Sequence, residues 1–188
     1  MKRRVALYPG SFNPLHVGHV AIARWLAGCG CFDEIRLMPS PHNPLKPHSP
    51  ASASDWNERL EAIRLACLRN GLQVGIEDIE FHLPEPHYTY RTLEALQERE
   101  PLTDFIMVIG SDNLAIIDNW YKGREILAKY EIWVYPRNGF DTERLVREAT
   151  ERGAMRIRMI NAPMIDISST AIRNAEAHGD MSMEKYKA

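Results

Sequence analysis

Two histidines stand three residues apart in a glycine-containing stretch near the amino end of the chain. Residues 8–19 read Y-P-G-S-F-N-P-L-H-V-G-H, so His16 and His19 share one face of a predicted helix start. Imidazole rings can donate hydrogen bonds to phosphate oxygens without the fixed charge of lysine. Gly10 allows a tight turn, and Gly18 leaves room between the histidines. The stretch predicts a phosphate-binding site; the alternative is an ordinary turn with structural histidines.

The segments on either side would position this stretch. Residues 5–7 form an apolar run typical of a buried strand, and residues 20–26 have the apolar spacing of a helix. A glycine turn between a strand and a helix directs backbone N–H groups and the positive end of the helix dipole at one spot. This arrangement favours an anion.

A second pattern of this kind lies near the carboxyl end of the chain. Ser168, Ser169 and Thr170 lead a predicted helix, and Arg173 follows one turn later. Free N–H groups, hydroxyls and a guanidinium would converge where an anion can bind. The alternative is a plain Ser/Thr-capped helix. The presence of the first motif favours phosphate binding.

Composition excludes several classes of protein. The chain has 188 residues, 45% hydrophobic and 26% charged, which suits one globular domain over residues 1–188. A net charge of −2 gives no basic footprint for nucleic acid. The basic start, M-K-R-R, precedes only a short apolar run, which fits neither a signal peptide nor a membrane span. We expect a cytoplasmic protein without a nucleic-acid or membrane partner.

Cysteines and other histidines do not predict a protein metal site. Cys29, Cys31 and Cys67 lack the C-x-x-C spacing of redox and zinc sites and are interpreted as structural or incidental thiols. His82 and His87 are interpreted as surface or hydrogen-bonded loop residues.

Apolar runs alternate with helical patterns along the chain, which predicts a Rossmann-like doubly wound α/β fold with a parallel sheet. The strands are expected near residues 4–9, 34–39, 73–76, 104–109, 131–135 and 156–160. Residues 104–109 are nearly all apolar, as in a central buried strand. A charged amphipathic helix is expected from about residue 142 to 152.

Positions beside these elements are further candidates. Asp112 follows the central strand, where a carboxylate often accepts ribose hydroxyls but could equally cap the next helix. Thr89 is interpreted as a helix cap. Trp120 and Tyr121 begin a predicted helix, where adjacent aromatic side chains pack in the core or stack on a planar ring.

A proline-rich stretch, residues 40–50, forbids regular structure after the second strand. Because more of the same domain follows, we favour a site loop over a linker. Ser54 would cap the next helix, and the N-G pair at 70–71 would end it. The apolar positions of that helix are Leu60, Ile63, Leu65 and Leu68.

The two motifs together resemble a known superfamily. G-S-F-N-P-x-H-x-G-H and S-S-T-x-I-R are similar to the two signatures of the nucleotidylyltransferases. The H-x-G-H form, the G-S-D at 110–112 and the W-Y pair at 120–121 resemble nicotinate-nucleotide adenylyltransferases of NAD biosynthesis. The resemblance spans residues 5–173. It implies transfer of the adenylyl group of ATP to nicotinate mononucleotide with release of pyrophosphate.

The resemblance also implies roles for residues. On the ATP side it places Gly10, Ser11 and Phe12 through their backbone, His16 and His19 on phosphates, Gly110 and Asp112 near the ribose, Arg137 beside adenine, and Ser169, Thr170 and Arg173 on the triphosphate. Lys46, Thr89, Trp120 and Tyr121 fall on the mononucleotide side. His16, His19, Lys46 and Arg173 would carry catalysis by stabilising charge, and Mg²⁺ would enter on the triphosphate.

The chain departs from the family pattern at several points. Pro9-Gly10 replaces G-G, N-P-L-K at 43–46 replaces P-P-H-K, and His87 replaces the serine of S-Y-T. Whether His42 substitutes for the missing loop histidine is open, and residues 174–188 form a short polar tail.

Three alternatives stay open: a pantetheine-phosphate adenylyltransferase, an enzyme that uses nicotinamide mononucleotide, and an ATP-binding regulator without turnover. The sequence also leaves the oligomeric state open, a homo-oligomer included.

Overall fold

A sheet of six parallel strands forms the centre of the computed structural model, which describes residues 2–41 and 56–188. The strands are Arg3–Gly10 (β1), Glu34–Pro39 (β2), Gly75–Ile76 (β3), Thr103–Gly110 (β4), Glu131–Tyr135 (β5) and Arg156–Met159 (β6). Their spatial order is β3-β2-β1-β4-β5-β6, which confirms the predicted doubly wound topology. Each predicted strand is present, although β3 is shorter than expected.

Helices connect the strands and cover both faces of the sheet. They are Val17–Gly28 (α1), Trp56–Arg69 (α2), Thr89–Arg99 (α3), Ser111–Ala115 (α4), Gly123–Lys129 (α5), Thr142–Glu151 (α6) and Ser169–Ala177 (α7). Short 3₁₀ segments lie at Ile79–His82, Ile117–Asn119 and Met181–Tyr186. Within residues 2–41 and 56–188, no helix is long and apolar enough to cross a membrane.

The buried face of α2 differs from the predicted one. Leu60 and Ile63 are buried as expected, but Leu65 and Leu68 are 42% and 74% exposed. Ala66 and Cys67 complete the buried face instead, because they follow Ile63 by three and four residues, as Ile63 follows Leu60 by three. The helix ends at Arg69, directly before Asn70 and Gly71, which confirms the predicted N-G stop, and Ser54 lies outside the described residues.

Strand β1 divides the core into two layers. Ala6 and Tyr8 point into one apolar cluster, and Val5 and Leu7 point into the other. A strand buried on both faces must be apolar throughout, which explains the continuous run in the sequence. Because β1 pairs with both β2 and β4, its carboxyl end lies where the strand order reverses. This is the usual ligand position in open α/β sheets.

An ionic network ties β2 to α3. The buried guanidinium of Arg36 lies 2.6 Å from Glu100, 3.0 Å from Glu77 and 2.9 Å from Glu34. Arg99 adds hydrogen bonds to Glu77 and Glu100. Hydrogen bonds from Arg36, and then from Arg99, lower the pKa of Glu100 from 4.5 to about 2. The folded state therefore favours the charged form of this carboxyl group.

This shift makes the Glu100 contribution to stability depend on pH. A carboxyl group with a lowered folded-state pKa stabilises the fold above its ordinary pKa of 4.5 and loses that effect as the pH falls towards about 2. We expect Glu100→Gln to lower the free energy of unfolding at pH 6, with the difference from the unmodified protein shrinking below pH 4.5. Urea unfolding across this range measures it. A difference that does not change with pH would contradict the assignment.

Candidate nucleotide-binding site

His16 and His19 lie together where α1 begins. His16 is the residue just before the helix, and its backbone N–H donates to Nδ1 of His19 at 3.3 Å. The two rings stack with centroids 3.6 Å apart. His16 is buried, and the described residues provide no hydrogen-bond partner for its Nδ1. The predicted proximity of the two histidines at the helix start is therefore present, and Nδ1 of His16 is a buried polar atom without a partner among the described residues.

Aromatic side chains enclose His19. Its ring lies edge-on to Phe12 at 4.8 Å and to Tyr8 at 6.1 Å, and Tyr8 packs against Tyr135. Phe12 has a positive φ of 44°, an uncommon backbone conformation that turns the chain away from β1. A side chain at Gly10 would come within 2.9 Å of the Phe12 ring, so this position requires glycine. Sequence reasoning missed Tyr8 and Tyr135 because they read as ordinary strand residues.

Both imidazoles are held in the neutral form. Burial, assisted by the Arg137 cation, lowers the pKa of His16 from 6.5 to about 4. Burial, followed by the effects of His16 and Arg137, lowers the pKa of His19 well below 6.5. A neutral imidazole still offers one N–H donor, and Arg137 supplies positive charge nearby. The site can therefore donate hydrogen bonds to an anion without two buried imidazolium charges.

Strand β4 brings a carboxylate to the same edge of the sheet. Asp112 lies inside the first turn of α4, and Gly110 occupies the cap position, so the capping alternative for Asp112 is wrong. The Oδ1 atom of Asp112 is buried, lies 3.9 Å from Nε of Arg137, and has no hydrogen-bond partner among the described residues. The Arg137 backbone N–H donates to Oγ of Ser111 at 2.9 Å. A hydrogen-bond acceptor, Oδ1 of Asp112, and a cation, the Arg137 guanidinium, therefore lie side by side.

The hydroxyl-arginine motif docks directly on the histidine loop. Oγ of Ser169 donates to the carbonyl of Pro14 at 2.9 Å, and Nη1 of Arg173 donates to the carbonyl of Asn13. Nη2 of Arg173 donates to the Thr170 hydroxyl at 3.2 Å, and Thr170 is exposed. The structure therefore joins the two motifs that sequence analysis interpreted separately. Ser11, on the same loop, is exposed.

The polar tail also reaches this loop. The backbone N–H of Ala188 donates to the carbonyl of Leu15 at 3.1 Å, and Lys187 forms an antiparallel bridge with His16. Ser168 caps α7 by accepting from the Ala171 N–H at 3.1 Å. Nothing in the sequence indicated this contact, because backbone hydrogen bonds leave no signal in side-chain types.

The residues predicted to bind the mononucleotide lie on different elements, and the structure changes two of the local predictions made for them. Thr89 is the first residue of α3, and Tyr88 holds the cap position, so the capping prediction for Thr89 is wrong. Trp120 and Tyr121 precede α5 instead of beginning it, since Lys122 adopts a positive φ of 54°. Trp120 is half-buried against the apolar core.

Tyr121 forms an aromatic stack that the sequence did not reveal. Its ring lies parallel to that of Tyr88, with centroids 4.6 Å apart. The Arg91 guanidinium lies 5.5 Å and 5.7 Å from the two centroids. The spacing of Tyr88 and Arg91, three apart at a helix start, was the available signal. Lys46 lies outside the described residues.

A doubly wound parallel sheet with a glycine-histidine loop and a hydroxyl-arginine helix at its switch point defines a nucleotide-binding α/β protein. The cytidylyltransferase-like family model matches residues 7–175. The chain belongs to this family.

Curated relatives resemble nearly the whole chain. A probable nicotinate-nucleotide adenylyltransferase of Bacteroides thetaiotaomicron is 39% identical over 176 residues, covering 93% of this chain and 82% of the relative. One from Caldicellulosiruptor bescii is 36% identical, covering 90% and 85%.

Solved structures share the fold. Nicotinic acid mononucleotide adenylyltransferase of Plasmodium falciparum complexed with NaAD has a TM-score of 0.75 at 19% identity, covering 92% of this chain and 83% of that one. A putative nicotinate-nucleotide adenylyltransferase of Vibrio parahaemolyticus has a TM-score of 0.68 at 24% identity, covering 99% and 87%.

The depressed histidine pKa values are open to direct measurement. We expect the His16 imidazole to titrate by NMR with a midpoint of about 4. Because the unfolded chain binds these protons more tightly, the histidine contribution to stability should fall as the pH drops from 6.5 towards about 4. His16→Gln assigns the resonance. A midpoint near 6.5 in the folded protein would contradict the burial argument.

Proposed function

We propose that this chain transfers the adenylyl group of ATP to nicotinate mononucleotide, giving nicotinate adenine dinucleotide and pyrophosphate. The observation that carries the proposal is the docking of Ser169 and Arg173 on the loop that leads into His16. It gathers hydroxyl, guanidinium and imidazole donors at one end of the sheet, as a triphosphate requires. The similarity to probable nicotinate-nucleotide adenylyltransferases supports the same reaction.

The proposed reaction needs no protein nucleophile. An oxygen of the mononucleotide 5′-phosphate attacks the α-phosphorus of ATP, and the bond to the bridging oxygen of pyrophosphate breaks. The neutral rings of His16 and His19 donate hydrogen bonds to oxygens that gain charge in the transition state. The enzyme contributes mainly by holding two anions in line.

Charge compensation comes from residues around the histidines. Arg137 stands beside Asp112 at the ATP side, and Arg173, whose Nη1 donates to the Asn13 carbonyl, would bring its positive charge to the triphosphate. Lys46 would neutralise the acceptor phosphate.

Mg²⁺ is proposed to enter with ATP as the complex of the triphosphate, as a co-substrate. In the part of the chain that the structure describes, no group of three or more His, Cys, Asp or Glu side chains is placed to hold a metal ion. The protein would therefore hold the ion through the ATP phosphates.

The aromatic stack favours nicotinate over nicotinamide. A pyridine ring suits the exposed faces of Tyr88 and Tyr121, and the Arg91 guanidinium beside them can pair with a carboxylate more strongly than with a carboxamide.

A cytoplasmic location is part of the proposal, and the similarity to probable nicotinate-nucleotide adenylyltransferases, which are named for a biosynthetic reaction, supports it. Assembly into a homo-oligomer is a separate question for measurement.

The choice of acceptor can be tested directly. With ATP and Mg²⁺, pyrophosphate release should be fastest with nicotinate mononucleotide, and Arg91→Gln should narrow its advantage over nicotinamide mononucleotide by about 10-fold. A coupled pyrophosphate assay with both mononucleotides and phosphopantetheine measures this. Pyrophosphate release with phosphopantetheine alone would show that the proposed acceptor is wrong. ATP binding without pyrophosphate release would favour an ATP-binding regulator without turnover.

The proposed role of His19 as a hydrogen-bond donor to the transition state can also be tested. His19→Ala should lower kcat by about 100-fold or more, because a donor to the transition state is lost. His82→Ala is the matched control, since His82 is exposed and pairs only weakly with Asp78 at 3.9 Å. Thermal melts of both variants verify folding. An unchanged kcat in a folded His19→Ala protein would remove this residue from the mechanism.

A further inference from the structure

A buried polar cluster lies beneath the carboxyl end of β2, apart from the residues assigned above. Its members are Ser40, Arg59, Glu80 and Thr92, called here the Ser40 cluster. Arg59, Glu80 and Thr92 are 7%, 3% and 0% exposed. They come from the end of β2, from α2, from the 3₁₀ segment Ile79–His82 and from α3, so the cluster joins four separate elements.

Ser40 is the centre of the cluster and is held from three directions. Its backbone N–H donates to the carbonyl of Gly10 at 3.0 Å, continuing the ladder between β1 and β2. Its carbonyl accepts from Nη2 of Arg59, and its hydroxyl bonds to the Glu80 carboxylate. Gly10 begins the loop that leads to the histidines. Fixing Ser40 therefore fixes the start of the ATP-side loop.

Glu80 extends the cluster to the other side of the site. Its Oε1 atom accepts from the Thr92 hydroxyl at 2.9 Å, and the same hydroxyl lies 3.3 Å from the Tyr88 carbonyl. Tyr88 and Thr89 form the first turn of α3 and belong to the proposed acceptor side. One carboxylate thus links the two substrate sides.

The charges in this cluster are not explained by stability alone. The Arg59 guanidinium lies over the rings of Trp56 and Phe81, at 5.0 Å and 5.6 Å from their centroids, and the residue is largely shielded from water. Among the described residues, Nε of Arg59 and Oε2 of Glu80 have no hydrogen-bond partner. Buried charges with unused bonding capacity commonly stabilise a protein less than apolar residues of similar size. Such groups persist where they fix a geometry.

We infer that Arg59 and Glu80 are positioning residues that set the spacing between the ATP-side loop at Gly10 and the acceptor-side turn at Tyr88. The inference rests on the proposed function, because the two sides are defined by its substrates. Neither residue touches a substrate. Each acts through Ser40 or Thr92.

The cluster has two arms: the bond from Ser40 to Glu80 on the side of the Gly10 loop, and the bond from Thr92 to Glu80 on the side of α3. The two arms can be broken separately. Thr92→Val removes the hydroxyl contacts to Glu80 and to the Tyr88 carbonyl, leaves the Ser40–Glu80 bond in place, and keeps the side-chain shape and both charges. We expect it to raise the KM for nicotinate mononucleotide by about 5-fold while the KM for ATP changes less than about 2-fold. Glu80→Gln weakens both arms, so both KM values should rise and kcat should fall by about 10-fold.

A second measurement does not depend on turnover. Hydrogen exchange of the Ser40 amide reports the bond to Gly10. It should speed up by about 10-fold in Glu80→Gln and stay unchanged in Thr92→Val, while the amides of β4 keep their protection in both. Glu85→Gln is the matched control, since Glu85 is an exposed carboxylate in the neighbouring loop.

The outcomes separate the two proposals. If the unmodified protein releases no pyrophosphate, the proposed function fails, and the exchange pattern still tests whether the cluster holds Ser40. Wild-type kinetics and Ser40 exchange in folded Glu80→Gln would overturn the inference. An equal rise of both KM values in Thr92→Val would also overturn it, because the arms would not be separate.

Discussion

The docking of α7 on the loop between β1 and α1 is the contact on which the rest of the site depends. The carbonyls of Asn13, Pro14 and Leu15 point away from the loop and need donors from elsewhere. Arg173, Ser169 and the backbone of Ala188 provide them, across 155 residues of chain in the Ser169 bond. An unpaired buried carbonyl would cost about 1–3 kcal/mol. The shape of the loop therefore depends on contacts from α7 and from Ala188, far away along the chain.

Burial then decides the electrostatics of that loop. The same packing that surrounds His19 with aromatic rings lowers the pKa values of both imidazoles through burial, so both rings stay neutral near pH 7. Permanent cations remain at the periphery, where Arg137 and Arg173 are partly solvated. The arrangement suits the proposed reaction between two anions, because neutral donors would lie close to the reacting phosphorus while the charged groups would pair with the phosphates as they bind.

The sequence predicted the parts of the structure that depend on local patterns. The apolar run at residues 105–109 predicted a buried central strand, and these residues form the buried part of β4, between β1 and β5. Predictions from local patterns were wrong where tertiary contacts determine which residue caps a helix or which side of a helix is buried. Thr89 lost the cap position to Tyr88, and Leu65 and Leu68 kept the helical period but lie on the exposed side of α2. Periodicity gives the width of an apolar face but not which residues are covered.

The Ser40 cluster shows why some residues of the site could not be found from the sequence. Its side chains come from four elements and are related by no periodic spacing, so only the sheet register brings them together. That register pairs Gly10 with Pro39, and Gly10 must remain glycine because the Phe12 ring fills the space of a side chain. The same residue thus begins the phosphate loop, permits the ring that packs against His19, and accepts the Ser40 N–H. A shift of β2 against β1 would move all three contacts at once, so the alignment of these two strands sets the geometry of the proposed reaction.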